Sequence, residues 1–476
     1  PRVRRQRQMC IRDRSITFLR KLKENKRFLT HFPLPREQIG VIFITQNAKD
    51  MVGMDYKEAL EYINKTEWFG SRPGLERITE LLEKLGNPQN GMKFIHIAGT
   101  NGKGSCAAMT ASVLKAAGYK TGLFTSPYLY RFNERMQING KQIDDDVLAA
   151  DVSLVKIAAD AMADHPTEFE LMTAAAMVWF KEQNCDIVVL EVGLGGRLDA
   201  TNVIKAPEAC VIMNIGLDHT AVLGNTVEQI AEEKAGIIKP GADCVLYQQS
   251  QSVTEIVRER CDEVGARLHV ADFSELHSEF DSLFGQSFTY RGEVYALPLL
   301  GANQLRNAAV VLELVEVLRR RGWALDQSDV EHGLYAVSWP GRFELVNDEP
   351  CFIVDGGHNP QCAQTVAENL RSYFPDSRRV LLVGVLKDKD YAGIFDALDP
   401  VADEYVCIAP DSQRALPAEE LGKFLEKYGK DVNVCESIKD GVSMALDIAG
   451  DDPDTMICAV GSLYSVGEIR ACFEKY

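Results

Sequence analysis

The chain has 476 residues, 46% of them hydrophobic and 25% charged, and a formal net charge of −17. Those proportions belong to ordinary globular proteins and exclude a collagen, a disulfide miniprotein and a disordered tail. No apolar run approaches the roughly 18 to 20 residues of a membrane-spanning helix, so no membrane partner is expected.

The charge is uneven. Residues 1–50 carry 13 Lys/Arg against 4 Asp/Glu, and the remainder 39 against 65. An acidic body argues against a nucleic-acid partner, which needs a basic face to displace counterions. The 12 cysteines include no C-x-x-C pair. That usage suits a reduced, cytoplasmic setting and argues against zinc. Residues 1–14, PRVRRQRQMCIRDR, lack the apolar core and small-residue cleavage site of a secretory signal. A basic arm is one reading. We read residues 1–50 instead as a non-native or disordered extension, with the natural start at Met51 or Met54.

An amphipathic helix pattern begins at Asp55. Lys93–Ala98 is a short apolar run entering a glycine-rich turn, and a helix is expected over Cys106–Ala117. Further strands are expected at Asp186–Glu191, Ala209–Asn214 and Cys244–Tyr247, with helices over Glu170–Gln183 and Thr226–Ala235. Alternation of this kind implies a parallel sheet covered by helices on both faces. The polar stretch Asp272–Pro298 reads as small strands and hairpins. Trp339-Pro-Gly-Arg is a break. A second α/β series follows it, with strands beginning at Cys351, Val380, Glu404 and Met456. The expected fold class is therefore α/β: an N-terminal P-loop-type parallel-sheet ATPase domain over 51–341, then a C-terminal Rossmann-like domain over 342–476.

The sharpest local signal is Gly99-Thr100-Asn101-Gly102-Lys103-Gly104-Ser105, between a strand and a helix. Glycines let backbone N–H groups turn inward, and the helix presents its positive end to phosphate. Lys103 supplies a point charge for the β- and γ-phosphates. The match to the common phosphate loop is imperfect, because Gly104 stands where Ser or Thr usually follows the lysine. A hydroxyl ligand for the metal must then come from elsewhere.

Several motifs stand in order: Phe69-Gly-Ser-Arg-Pro-Gly, the phosphate loop, Phe124-Thr-Ser-Pro-Tyr-Leu, Leu190-Glu-Val-Gly-Leu-Gly-Gly-Arg-Leu-Asp-Ala-Thr-Asn, Leu217-Asp-His-Thr, Glu233-Lys-Ala-Gly-Ile, Pro340-Gly-Arg-Phe-Glu, Asp355-Gly-Gly-His-Asn-Pro and Gly461-Ser-Leu-Tyr. Across residues 54–476 the chain resembles the folylpolyglutamate synthase/dihydrofolate synthase family of the Mur ligase superfamily. The resemblance implies a ligase in which ATP phosphorylates a folate carboxylate and the amine of L-glutamate captures the acyl phosphate. Folate or dihydropteroate, glutamate and ATP are the implied substrates, with Mg²⁺ as cofactor. Because the two domains already enclose such a site, we expect a monomer.

The resemblance assigns roles that residue type alone leaves open. Glu191, at a strand end, suits Mg²⁺, although such a glutamate equally well caps a turn. Ser126 becomes the hydroxyl ligand, although alone it reads as a turn serine before Pro127. His219 becomes the third ligand, although imidazole is an unusual partner for Mg²⁺. Lys234, flanked by Glu232 and Glu233, reads as a solvated lysine. The family makes it a carbamylated lysine (N6-carboxylysine), which requires a lowered pKa and glutamates that point away.

On the folate side the resemblance points to Thr167, Phe169 and Glu170, with Phe169 offering a ring face to the pterin. The plainer reading is a capping Thr and a core Phe. Arg197 and Asp199 are expected on the rim. Asn307, Arg342 and Asp355 are implied ATP contacts, and His358 and Ser462 are implied to bind glutamate or aid its attack. Asn303-Gln304 departs from a His-Gln pair common in the family. A Mur-type ligase is disfavoured, because only about 40 residues separate Met54 from the phosphate-loop strand, too few for an added uridine-nucleotide domain. A non-ligating nucleotide switch is disfavoured by the second domain with Asp355, His358 and Ser462.

Overall fold

The computed structural model describes residues 53–65 and 72–473, so the expectations for residues 1–50 and for Phe69, Gly70 and Ser71 lie outside the described residues. The first helix, Tyr56–Asn64, starts where the amphipathic pattern does. Asp55 accepts the Glu58 N–H at 2.8 Å, and Glu58 accepts the Asp55 N–H at 2.9 Å. This reciprocal cap satisfies donors that a helix start leaves unpaired.

Eight strands form the first sheet. In spatial order they are Lys141–Gln142, Met136–Ile138, Thr121–Phe124, Ile187–Glu191, Phe94–Ala98, Ala209–Ile212, Asp243–Leu246 and Arg267–Val270. The six from Thr121–Phe124 onward are parallel, and the hairpin at the other edge is antiparallel. The central strands read as unbroken apolar runs because both faces are covered. Ile95, Ile97 and Val211 pack under the helices Lys103–Ala116 and Ala302–Arg320. Phe94, Val188 and Leu190 pack on the opposite face against Glu168–Glu182.

Leu276–Ser282, Gly285–Tyr290 and Glu293–Leu297 make a separate antiparallel sheet, where small strands were expected. Its alternating residues Phe288, Tyr290, Tyr295 and Leu297 join the first core. The third sheet has the order Glu344–Asn347, Cys351–Val354, Thr455–Val460, Arg378–Val383, Glu404–Cys407 and Asp431–Val434, with only the first strand antiparallel. The Trp339–Arg342 break separates it from the strands before. Among the described residues no helix is long and apolar enough to cross a membrane.

Several strands lack the continuous apolar run that signals a buried strand. Thr121–Phe124, the Met136–Gln142 hairpin, Glu344–Asn347 and Asp431–Val434 are two to four residues long. The expected helix over Cys106–Ala117 spans Lys103–Ala116, because Gly102 caps it in the left-handed region (φ 86°). The helix expected over Thr226–Ala235 spans Val227–Ala235, with Thr226 as its cap.

A buried ion pair ties the helix Glu76–Lys84 to the helix Glu168–Glu182. Arg77 Nε donates to Glu170 Oε2 at 3.1 Å, with both side chains almost fully enclosed. Removing one member of such a pair leaves an uncompensated charge. Arg77→Met should therefore destabilise the fold by about 3 kcal/mol, measured as a lowered thermal midpoint.

Candidate active site

The phosphate loop leaves the central strand after Ala98. The Thr100 and Asn101 N–H groups donate to the Asn214 carbonyl at 2.8 and 3.2 Å, and Lys103 Nζ donates to the Thr100 carbonyl at 3.2 Å. Gly102 is obligatory: a Cβ there would lie 2.7 Å from Asn307 Oδ1, and its φ is positive. Asn307 thus lies against the loop, and its Nδ2 donates to Gln304 Oε1 at 3.1 Å. The departure at Gly104 also has a physical reason. A Cβ at Gly104 would meet the Trp339 indole at 2.7 Å. The linker tryptophan fills the space that a Ser or Thr side chain needs.

Register places Glu191 beside Ile97, so its carboxylate and the phosphate loop emerge from adjacent strand ends. Glu191 Oε2 accepts the Ser126 N–H at 3.1 Å. Burial pushes the carboxyl above the usual range, and Lys103, the Ser126 N–H, Arg342 and Arg135 hold it back. His219 lines the same cavity, and burial, then Lys389, lower its pKa. Among the described residues no group of three His, Cys, Asp or Glu makes a metal cage. The Glu191 carboxylate and the Ser126 hydroxyl are oxygen donors that suit a hard cation, whereas the His219 imidazole is an unusual ligand for one.

Lys234 is the largest departure from a reading by residue type. It is buried, and its Nζ donates to the Gly99 carbonyl at 2.8 Å. Burial, then Lys103, bring its pKa down from 10.5 to about 7, against the pull of Asp218 and Asp199. The flanking glutamates point away: Glu232 is exposed, and Glu233 pairs with Arg197 at 2.5 Å.

Across the cavity, Arg342 is close enough to influence both Glu191 and Asp355. Asp355 accepts the Phe343 N–H at 2.8 Å through Oδ2, which ties the linker to the C-terminal sheet, and the Gly357 N–H at 2.6 Å through Oδ1, which shapes its own loop. His358 Nδ1 donates to the Gly356 carbonyl at 2.9 Å, which leaves Nε2 as the acceptor. Burial lowers this imidazole to about 4. All these groups border one cavity of about 860 Å³.

Residues 97–315 match the Mur ligase middle domain, and residues 341–463 match the Mur ligase glutamate ligase domain. The dihydrofolate synthase/folylpolyglutamate synthase of Bacillus subtilis is 36% identical over 432 residues, covering 87% of this chain and 98% of that protein. The chain belongs to the folylpolyglutamate synthase/dihydrofolate synthase family. The Mycobacterium tuberculosis folylpolyglutamate synthase complexed with ADP and AMPPCP is 35% identical with a TM-score of 0.80, covering 89% of this chain and all of that one. Escherichia coli FolC in complex with DHPP and ADP is 29% identical with a TM-score of 0.77, covering 87% and 97%.

For this member of the folylpolyglutamate synthase/dihydrofolate synthase family, the folate-side expectations divide. Thr167 and Glu170 form a capping box: Glu170 accepts the Thr167 N–H at 2.7 Å and also binds Arg77. Phe169 is half-buried and lies against Gly193, where a Cβ would sit 2.5 Å from the ring. Asp199 is buried; it accepts the Leu194 N–H at 2.9 Å and the Thr201 hydroxyl at 2.5 Å, and so shapes the loop after Glu191. Arg197 is exposed on the rim. Ser462 is buried as the cap of Leu463–Ala471.

Sequence reasoning missed Lys389, which pairs with Asp218 at 2.8 Å, as well as Arg135, Gln361 and Trp339. Only Trp339 carried a signal, since it stands in the linker motif.

The Lys234 amine also makes stability depend on pH. Between its folded pKa of about 7 and its ordinary 10.5, the unfolded chain holds a proton that the folded chain lacks. This group therefore makes stability rise with pH over that window. In bicarbonate-free buffer, Lys234→Met should flatten the rise of thermal midpoint with pH above 7.

Proposed function

We propose that this protein is an ATP-dependent ligase that joins L-glutamate to the carboxylate of a pterin-bearing acid through an acyl phosphate. Residues 51–341 act as the nucleotide domain and residues 342–476 as the glutamate-ligase domain, in a cytoplasmic monomer. The observation that carries this reading is one cavity with Lys103 and Glu191 at adjacent strand ends on one wall and Arg342, Asp355 and His358 on the other.

The phosphate loop from Gly99 to Ser105 cradles the nucleotide with its N–H groups, and Lys103 neutralises charge on the phosphoryl group that moves. Asn307 and Asp355 border the nucleotide, and Arg342 draws the two walls together around it. Ser126, Glu191 and His219 would hold Mg²⁺. That ion supplies Lewis-acid stabilisation of the phosphoryl oxygens.

In the reaction, a folate carboxylate oxygen bonds to the γ-phosphorus as the bond to ADP breaks. The glutamate nitrogen then attacks the acyl carbon, and phosphate leaves. His358 offers its Nε2 lone pair to a hydrogen of the incoming amine, and Ser462 borders the glutamate. Phe169 and the Arg197–Asp199 loop border the pterin, with Thr167 and Glu170 fixing that wall.

Lys234 has the neutral amine that carbamylation needs. Its nitrogen bonds to the carbon of CO₂ and releases a proton, which turns the neutral amine into an anionic carbamate beside the metal site.

Both dihydropteroate and tetrahydrofolate are acceptors in this reading. The test is glutamate-dependent phosphate release with each. Lys103→Ala and Glu191→Ala should each lose at least about two orders of magnitude in turnover, and near-normal rates in both remove the proposed site. Lys234→Ala should lose the bicarbonate dependence of activity and regain turnover with a short carboxylate such as acetate. Full activity without rescue rejects the carbamate.

A further inference from the structure

The phosphate loop is gripped from outside its own domain. Within the first sheet Asn101 is held only by its backbone, through the Asn214 carbonyl. Among the described residues its side chain is met by the turn that opens the C-terminal domain's Pro360–Tyr373 helix. Asn101 Nδ2 donates to Gln361 Oε1 at 2.7 Å. Asn101 Oδ1 accepts from Asn359 Nδ2 at 3.0 Å and from the Cys362 thiol at 3.1 Å.

The 359–362 turn is shaped for this grip. Asn359 caps the helix by accepting the Cys362 N–H at 2.9 Å, which leaves its Nδ2 facing the loop. That same Nδ2 reaches Asp218 Oδ2 at 3.4 Å, and Lys389 of the C-terminal domain binds the other Asp218 oxygen at 2.8 Å. Gly216 makes room: a Cβ there would lie 2.3 Å from Gln361 Oε1. The seam is thus a set of matched donors and acceptors on both sides. Asn101 lies one residue before the Gly102 cap, so moving its side chain re-aims the N–H groups of the first turn that face phosphate.

We propose that Asn101 is a positioning residue through which seating of the C-terminal domain sets the phosphate loop for phosphoryl transfer. The proposal rests on the ligase reading and adds to it. Nucleotide binds through the loop N–H groups in either state, whereas transfer waits for the domain that carries His358 and the amine site. ATP is then not broken down when nothing can capture the acyl phosphate.

The test uses the full chain with Asn101→Ala, Gln361→Ala and the double variant. Each single variant should bind AMPPCP within about threefold of wild type yet lose at least about tenfold in kcat, and the double should be no worse than the poorer single, because both remove one shared contact. Losses that multiply in the double variant, or a raised KM for ATP with kcat unchanged, overturn the proposal. The second readout needs no turnover. Cys362 should be alkylated by iodoacetamide at least about tenfold faster in both single variants, read by peptide mass spectrometry, because the opened seam exposes its thiol. Unchanged labelling overturns the proposal even if the rates fall. Gln361→Ala decides the matter if Asn101→Ala does not fold. A wild type without glutamate-dependent phosphate release defeats the ligase reading instead, and the labelling still decides the role of Asn101.

Discussion

Charge taken out of water is the constraint around which this molecule is arranged. Glu191 and Lys234 are both buried beside the Gly99–Lys103 turn, where an isolated ion costs far more than any single contact returns. The fold meets that cost in two ways. Glu191 keeps company with Lys103, Arg342 and a backbone N–H. Lys234 instead gives up its proton readily, and its amine turns to the Gly99 carbonyl. A nucleotide enters a site whose fields are already opposed and held in place, which is the condition under which electrostatic stabilisation is strongest.

That arrangement needs both sheets. The first supplies two adjacent strand ends, where open α/β sheets place their ligands. The second supplies the counterparts across the seam. Asp355 holds the linker just after Arg342 through the Phe343 N–H and its own loop through the Gly357 N–H. His358, Asn359 and Gln361 follow within a few residues, so one turn carries both the His358 imidazole that borders the cavity and the grip on the phosphate loop. Chemistry that must join two substrates is thereby placed where two domains meet.

Much of the fold was legible because its signals are short-range. Phe94–Ala98 and Ile187–Glu191 announce themselves as apolar runs, since both sheet faces are covered. The caps at Asp55 and Thr167 lie three residues from their glutamate partners. Short edge strands such as Asp431–Val434 escaped because a half-exposed strand has no such run. In the site, the phosphate loop was readable from glycine spacing. Ser126 and His219 stood out only through the family resemblance, because a turn serine and a loop histidine look alike in countless chains.

The alternation of the main strands and helices and the phosphate loop were determined by the sequence alone, because each depends on residues within one turn or one strand of each other. Tertiary structure decided the state of Lys234, the filling of the space beside Gly104 by Trp339 and the hold of Asn359–Cys362 on Asn101. Those depend on which distant segments exclude water from the same few ångströms, and no local pattern encodes that.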